Sequence, residues 1–136
     1  MLLIPKTRKS GVIMAAALIV DVILCNVILK NLIARVRPYD VNTAVQVLVA
    51  KPKDFSFPSG HTAASFASVT ALYLAGEKKL WKPALALAIL IAFSRMYLYV
   101  HYPTDILGGV IFGSLSAWIG YRISTKVLLY AMMKKE

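Results

Sequence analysis

Residues 11–33 read GVIMAAALIVDVILCNVILKNLI, an apolar run interrupted only by Asp21, Asn26, Lys30 and Asn31. A helix that crosses a bilayer needs about 20 mostly apolar residues, in a range of roughly 17–25. The run meets that length, and it has neither the alternating polar face of a soluble helix nor the period-2 pattern of a strand. Working outward, three more apolar blocks follow: about Thr62–Ala75, Leu80–Val100 and Asp105–Tyr121. The second reaches spanning length only when its helix is extended from near Ser59 to Glu77. The rest of the composition agrees. Hydrophobic residues make up 59% of the 136, the formal charge is +10, and most of the basic residues lie between the blocks. Nucleic-acid binding would instead gather Lys and Arg on one solvated face, so no nucleic-acid partner is expected. The pattern predicts an all-α integral membrane helical bundle of about four transmembrane helices, forming one domain over residues 1–136.

Short loops set the orientation. Lys6, Arg8 and Lys9 precede the first block, Lys78, Lys79 and Lys82 join the second to the third, and Arg122, Lys126, Lys134 and Lys135 follow the fourth. The positive-inside rule then places these groups and both termini in the cytoplasm of a multi-pass protein in the cell membrane. Arg37, the loop 38–57, His61, Arg95 and His101 fall on the extracytoplasmic side. Within that loop Val41, Ala44, Val45, Leu48 and Val49 form either a short helix lying on the leaflet or an ordinary loop. Cys25, the one cysteine, sits inside an apolar block and reads as a small buried hydrophobe.

Both histidines of the chain are on this outer side. Lys30 and Arg37, seven apart, would share one helix face, with Pro38 ending the helix and pushing Arg37 toward an extended backbone. Arg35 would point away and snorkel to headgroups. In PSGH, Ser59 suits an N-cap, Gly60 admits close approach to the backbone, and the free N–H groups of a first helical turn favour an anion. In SRMYLYVHYPTD, Arg95 can reach the outer surface, and Asp105 lies four residues after His101. A carboxylate on one imidazole nitrogen fixes the tautomer and frees the other as a nucleophile. Charges near a bilayer are costly, so several on one side call for a compensating ligand, and a phosphate group does this. Asp40 and Asp54 are isolated loop residues, so no carboxylate cluster is available for magnesium, and neither metal nor cofactor is expected.

Lys30, six residues, then Arg37–Pro38; Pro58–Ser59–Gly60–His61; Ser94–Arg95, five residues, His101, three residues, Asp105: this set, spanning residues 30–105, resembles the three-part signature of the type 2 phosphatidic acid phosphatase and vanadium haloperoxidase superfamily. The resemblance implies a membrane helical bundle that removes phosphate from a lipid phosphate or diphosphate without metal. Undecaprenyl diphosphate, phosphatidylglycerol phosphate and phosphatidate are the substrate types it brings, with an undecaprenyl diphosphatase as first choice. It implies roles as well. His101 is the nucleophile that forms a phosphohistidine, Asp105 holds its ring, and His61 protonates the leaving oxygen. Lys30, Arg37, Ser59, Gly60 and Arg95 hold the phosphate oxygens. Two other readings are a non-catalytic lipid-phosphate-binding subunit and a vanadate-dependent haloperoxidase. Members of the family usually carry more hydrophobic segments ahead of the Lys–Arg–Pro part. MLLIP (residues 1–5) reads as the tail of an earlier apolar segment, so the chain is expected to be an N-terminally shortened member of a larger bundle or one that completes itself by self-association. Tyr97, Tyr99, Tyr102, Phe55 and Phe57 are expected mainly as headgroup-level anchors, and the small residues of GGVIFGSLSAWIG as a close-packing face. Asp21 and Asn26 have no partner at a fixed spacing.

Overall fold

A computed structural model describes Met1 and residues 7–134, with backbone alone at 131 and 132; the expected roles of residues 2–6 and Lys135 lie outside the described residues. Every regular element among the described residues is helical. Helix α1 (Arg8–Asp21) runs into a π-helical stretch (Val22–Leu29) and then α2 (Lys30–Ile33), followed by the single turn α3 (Pro38–Val41), α4 (Gly60–Leu74), α5 (Trp81–Tyr97) and α6 (Pro103–Met133). Two segments have the length and apolarity to cross a bilayer: Arg8–Val41, with a window of mean hydropathy 2.7, and Pro103–Tyr130, with 1.4. Helix α4, at 15 residues, falls short of the Ser59–Glu77 extension that spanning would need, and α5, at 17, is shorter than its Leu80–Val100 block. Gly76, at φ 82°, ends the α4 segment, and Tyr99, also left-handed, ends α5.

Helix α4 is the centre of the bundle and packs on α6, α1 and α5. The contact surfaces are built from small side chains. Ile13, Ala17, Ala67, Ala71 and Ala117 form the buried core, with Met14, Leu18, Ala75 and Tyr121 against it. With lipid outside, burying apolar area does not by itself drive helices together, so close van der Waals approach has to. The small-residue face of α6 meets this need. A Cβ placed on Gly113 would lie 2.2 Å from the Ala63 carbonyl oxygen of α4, and one on Gly120 would lie 2.5 Å from the Ala17 nitrogen of α1. Large side chains such as Ile19, Leu90, Phe93 and Ile111 are exposed around the perimeter, where lipid tails would cover them.

Ser10 Oγ donates to Glu77 Oε1 at 2.6 Å, tying the start of α1 to the α4–α5 connection. Arg8 and Lys9 share a cavity wall with Tyr121 and Thr125 of α6. The basic residues flanking these segments therefore gather at one end of the bundle, and the histidines lie at the other. Between α3 and α4 the chain runs as loop from Asn42 to Ser59; Val41 closes α3, and no helix forms from there through Val49. Exposed Val41 and Leu48 lack an apolar partner surface, so nothing offsets the entropy of ordering a helix there.

Candidate active site

Three chain reversals bring the site together. The first helical rod ends at Ala34, whose φ of 47° and ψ of 41° are left-handed. The helix thus stops short of Arg37, and the seven-residue helical spacing from Lys30 does not carry across. Arg37 does adopt the extended backbone that Pro38 imposes, at φ −76° and ψ 154°, but Pro38 opens α3 rather than closing a helix. At the far end of α5, Tyr99 has φ 57°, its N–H donates to Met96 O at 2.9 Å, and Val100 N–H donates to Arg95 O at 3.3 Å. This pair of bonds is a Schellman closure, and it turns His101 inward. Both left-handed non-glycine residues among the described residues thus stand directly ahead of site side chains, where backbone strain tends to be stored. The third reversal precedes α4, where the Ser59 N–H donates to the Asp105 carbonyl at 3.0 Å and pins the PSGH turn to the start of α6.

A cavity of ≈ 440 Å³ lies among these reversals, lined by Lys30, Arg37, Gly60, His61, Arg95 and His101 of the expected set, together with Asn26 and Asp54. His101 is buried at 6% exposure, whereas His61 stands exposed at the cavity mouth. Arg37 Nη1 donates to the Val100 carbonyl at 2.8 Å and lies 3.3 Å from His101 Nε2. A guanidinium only donates, so this contact makes Nε2 the unprotonated nitrogen and puts the proton on Nδ1. Nδ1 faces Asp105 Oδ2 at 3.5 Å, an approach that does not amount to a formed hydrogen bond. Such bonds commonly tighten only when substrate is bound. Burial depresses the His101 pKa, the Asp105 carboxylate offsets part of that, and the Arg37 guanidinium adds to the depression; the net position is below the usual imidazole value.

Asp105 is fully buried and held from several sides. Ser56 Oγ donates to Oδ2 at 2.5 Å, the Tyr102 N–H donates to Oδ2 at 2.9 Å, and Arg35 Nη1 donates to Oδ1 at 2.9 Å. Arg35 also bonds Thr104 Oγ1 at 2.6 Å and stacks 4.1 Å over the Tyr102 ring. The expectation that Arg35 turns away to lipid headgroups is therefore corrected. Once the chain leaves the helix at Ala34, residues two apart can share a side, and Arg35 and Arg37 both reach the His101–Asp105 pair. Asp54 is a second correction. It is not isolated: its two carboxylate oxygens pair with Lys30 Nζ and, at 2.6 Å, with Arg37 Nη2. Burial alone would raise the Asp54 pKa, but the bonds to Lys30 and Arg37 outweigh it and hold the carboxyl below its ordinary value.

Ser59 is the residue before α4, as expected, yet its side chain makes no capping bond. Its Oγ accepts from Thr62 Oγ1 at 3.0 Å, it is fully buried, and it is not among the cavity's lining residues. Gly60 does line the cavity, and a Cβ there would meet Asn26 Oδ1 at 2.9 Å, so Asn26 packs against the start of α4. Arg95 Nε donates to Ser94 Oγ at 3.2 Å, and among the described residues no carboxylate pairs with it. Asp21 is buried with neither carboxylate oxygen hydrogen-bonded. Two of the aromatic anchors have other work. Tyr102 supports Arg35, and Phe57 packs edge-on against Phe112 at 6.3 Å between ring centroids. Among the described residues, no group of three or more His, Cys, Asp or Glu side chains converges to hold a metal.

Lys30, Arg37 and Arg95 line a cavity whose wall His61 and His101 share, and among the described residues Asp54 is its acidic lining residue. These features define an all-helical membrane protein with a cation-lined pocket. Residues 10–128 match the PAP2 superfamily, and the chain belongs to that family. It is 30% identical over 125 residues to an undecaprenyl-diphosphatase of Sulfolobus acidocaldarius, covering 92% of this chain and 60% of that protein. It is 39% identical over 102 residues to phosphatidylglycerophosphatase B of Bacillus subtilis, covering 68% of this chain and 47% of the relative. The crystal structure of a transmembrane PAP2-type phosphatidylglycerolphosphate phosphatase from Bacillus subtilis superposes with a TM-score of 0.66 at 33% identity, over 87% of this chain and 60% of that one. The chain thus spans about half to three fifths of the length of these relatives.

Proposed function

We propose that this chain hydrolyses a lipid phosphate or lipid diphosphate at the extracytoplasmic face of the membrane, through a phosphohistidine and without a metal ion. The observation that carries the reading is the placement of His61 and His101 on the wall of one cavity, together with Lys30, Arg37 and Arg95. His101 Nε2 attacks phosphorus in line with the leaving oxygen. Its Nδ1 proton faces Asp105, which steadies the positive ring as the N–P bond forms. His61, at the mouth, protonates the departing lipid oxygen; it then takes a proton from the water that attacks the phosphohistidine and releases inorganic phosphate. Lys30, Arg37, Arg95 and the first free N–H groups of α4 meet the equatorial oxygens, where each such donor is worth about 10²–10³ in rate. Asp105 is fixed by Ser56, Arg35 and Tyr102 rather than by His101 alone. The lipid diphosphate class is favoured by the undecaprenyl-diphosphatase relative, with phosphatidylglycerol phosphate and phosphatidate as the other candidates.

The test is phosphate release by the purified chain in detergent from undecaprenyl diphosphate, phosphatidylglycerol phosphate and phosphatidate, each with EDTA present. Release from at least one of them, lost in His101→Ala, is the expected result. Activity that requires an added divalent ion, or that survives the loss of His101, would overturn the mechanism.

A further inference from the structure

Asp54 is the acidic residue of the cavity wall, and it occupies the cations that a phosphate would need. One carboxylate oxygen pairs with Lys30 and the other with Arg37, much as two oxygens of a phosphate would bridge the same donors. Lys30 and Arg37 are nearly closed to solvent, with side chains 8% and 3% exposed, while Asp54 is 52% exposed. Two buried cations without an anion would carry a large desolvation cost, so some anion must always accompany them. Phosphate and the Asp54 carboxylate cannot both take the same donor hydrogens, and their charges repel. The loop backbone is built to let one replace the other. Arg37 Nε donates to the Asp54 carbonyl at 2.8 Å, and Nη2 lies 3.4 Å from the Phe55 carbonyl. These contacts keep the loop docked while the half-exposed side chain is free to swing toward water. Asp105 is the contrast, fully buried under three donors and unable to move.

We propose that Asp54 is an exchangeable internal counter-ion: phosphate displaces its carboxylate from Lys30 and Arg37, and its return expels inorganic phosphate after hydrolysis. This rests on the phosphatase reading above. Arg95, which no carboxylate neutralises among the described residues, is the first cation the incoming group meets beside His61. Asp54 then gives way on the inner pair, and the site stays close to charge-balanced throughout. Asp54 touches the phosphate-binding cations rather than the reacting atoms, so it is a positioning residue that sets affinity and release.

The experiment uses the full chain in detergent with inorganic phosphate as the probe, followed by calorimetric binding and by the phosphate-induced rise in melting temperature. Asp54→Asn, which keeps the shape and removes the competing charge, is expected to bind phosphate at least about tenfold more tightly, with a larger melting-temperature rise. Asp54→Glu keeps the charge and is expected to stay close to wild type. In turnover, Asp54→Asn should show stronger inhibition by phosphate and a lower kcat as product leaves more slowly. A merely structural role would lower thermal stability without tightening phosphate, and that result overturns the proposal. If Asp54→Asn is recovered folded only from phosphate-containing buffer, the counter-ion role is supported; if phosphate does not rescue it, the role is refuted. Wild-type turnover separates the two readings. Hydrolysis that depends on His101, without tighter phosphate in Asp54→Asn, removes only the counter-ion. Absence of both hydrolysis and phosphate binding in every variant removes the phosphatase reading as well.

Discussion

Gly113 offers a direct test of whether the small-residue contact between α4 and α6 sets the catalytic geometry. A methyl at this position would stand 2.2 Å from the Ala63 carbonyl oxygen, 2.8 Å from its carbonyl carbon and 2.9 Å from its Cα. All three atoms are backbone, so no side-chain rotation relieves the overlap, and the helices must part by close to an ångström. Overpacking of this kind costs about 1–3 kcal/mol. The same pair of helices carries groups of the proposed chemistry: Ala63 follows His61 by two residues, and α6 starts with the turn that holds Asp105. Displacing catalytic groups by about 1 Å can cost roughly 10²-fold in rate. Gly113→Ala is therefore expected to lower kcat for lipid-phosphate hydrolysis about 10²-fold and to lower the melting temperature followed by intrinsic tryptophan fluorescence. Gly76→Ala is the control. It has φ 82° and open space around the added methyl, so it should lose about 1–2 kcal/mol of stability through left-handed strain alone and keep kcat. A Gly113→Ala protein with wild-type kcat and melting temperature would refute the link between the contact and the site.

Two further outcomes are expected. Arg35→Ala removes the donor to Asp105 Oδ1, a bond to a charged group worth about 1.5–3 kcal/mol, so kcat should fall at least about tenfold with KM unchanged and Arg35→Lys restoring part of it; a raised KM at constant kcat would instead place Arg35 on the lipid. With just two histidines in the chain, NMR titration of labelled imidazoles can follow His101 directly, and it should titrate below its ordinary value of 6.5, leaving Nε2 unprotonated and nucleophilic at neutral pH; a midpoint above 6.5 would contradict burial beside Arg37.

The spanning rods and the two-histidine pocket were legible in the sequence, because long apolar runs and the three motif segments are local patterns. What was not legible depended on chain reversals. Arg35 looked like a lipid anchor as long as it was read on a continuous helix; the left-handed turn at Ala34 places it on Asp105. Ser56 is separated from the PSGH segment by Phe57 alone, and its hydroxyl bonds Asp105, a partner that no local pattern announces. Asp54 has no periodic relation to Lys30 or Arg37, so only the folded loop reveals their pairing. Ser59 shows the opposite error. Its N-cap position was correct, but the Thr62 hydroxyl and the tie of its N–H to Asp105 use it as scaffold rather than cavity wall. Asn26 lies in the π-helical stretch before Lys30, and its approach to Gly60 joins two separate helices, so no spacing within one helix could announce it.

The shortness of α4 sets how deep the candidate site lies. Fifteen residues rise about 22 Å, against roughly 30 Å for an ordinary hydrocarbon layer. Because α4 stands inside the bundle against α6, α1 and α5, the shortfall is taken up by protein rather than by lipid. Gly60 at its start lies level with Asn26, and the first rod continues for eight residues beyond that level to its turn at Ala34, roughly 10 Å. His61 is thereby recessed beneath the end of a neighbouring rod, and the cavity wall is as tall as the length that α4 lacks.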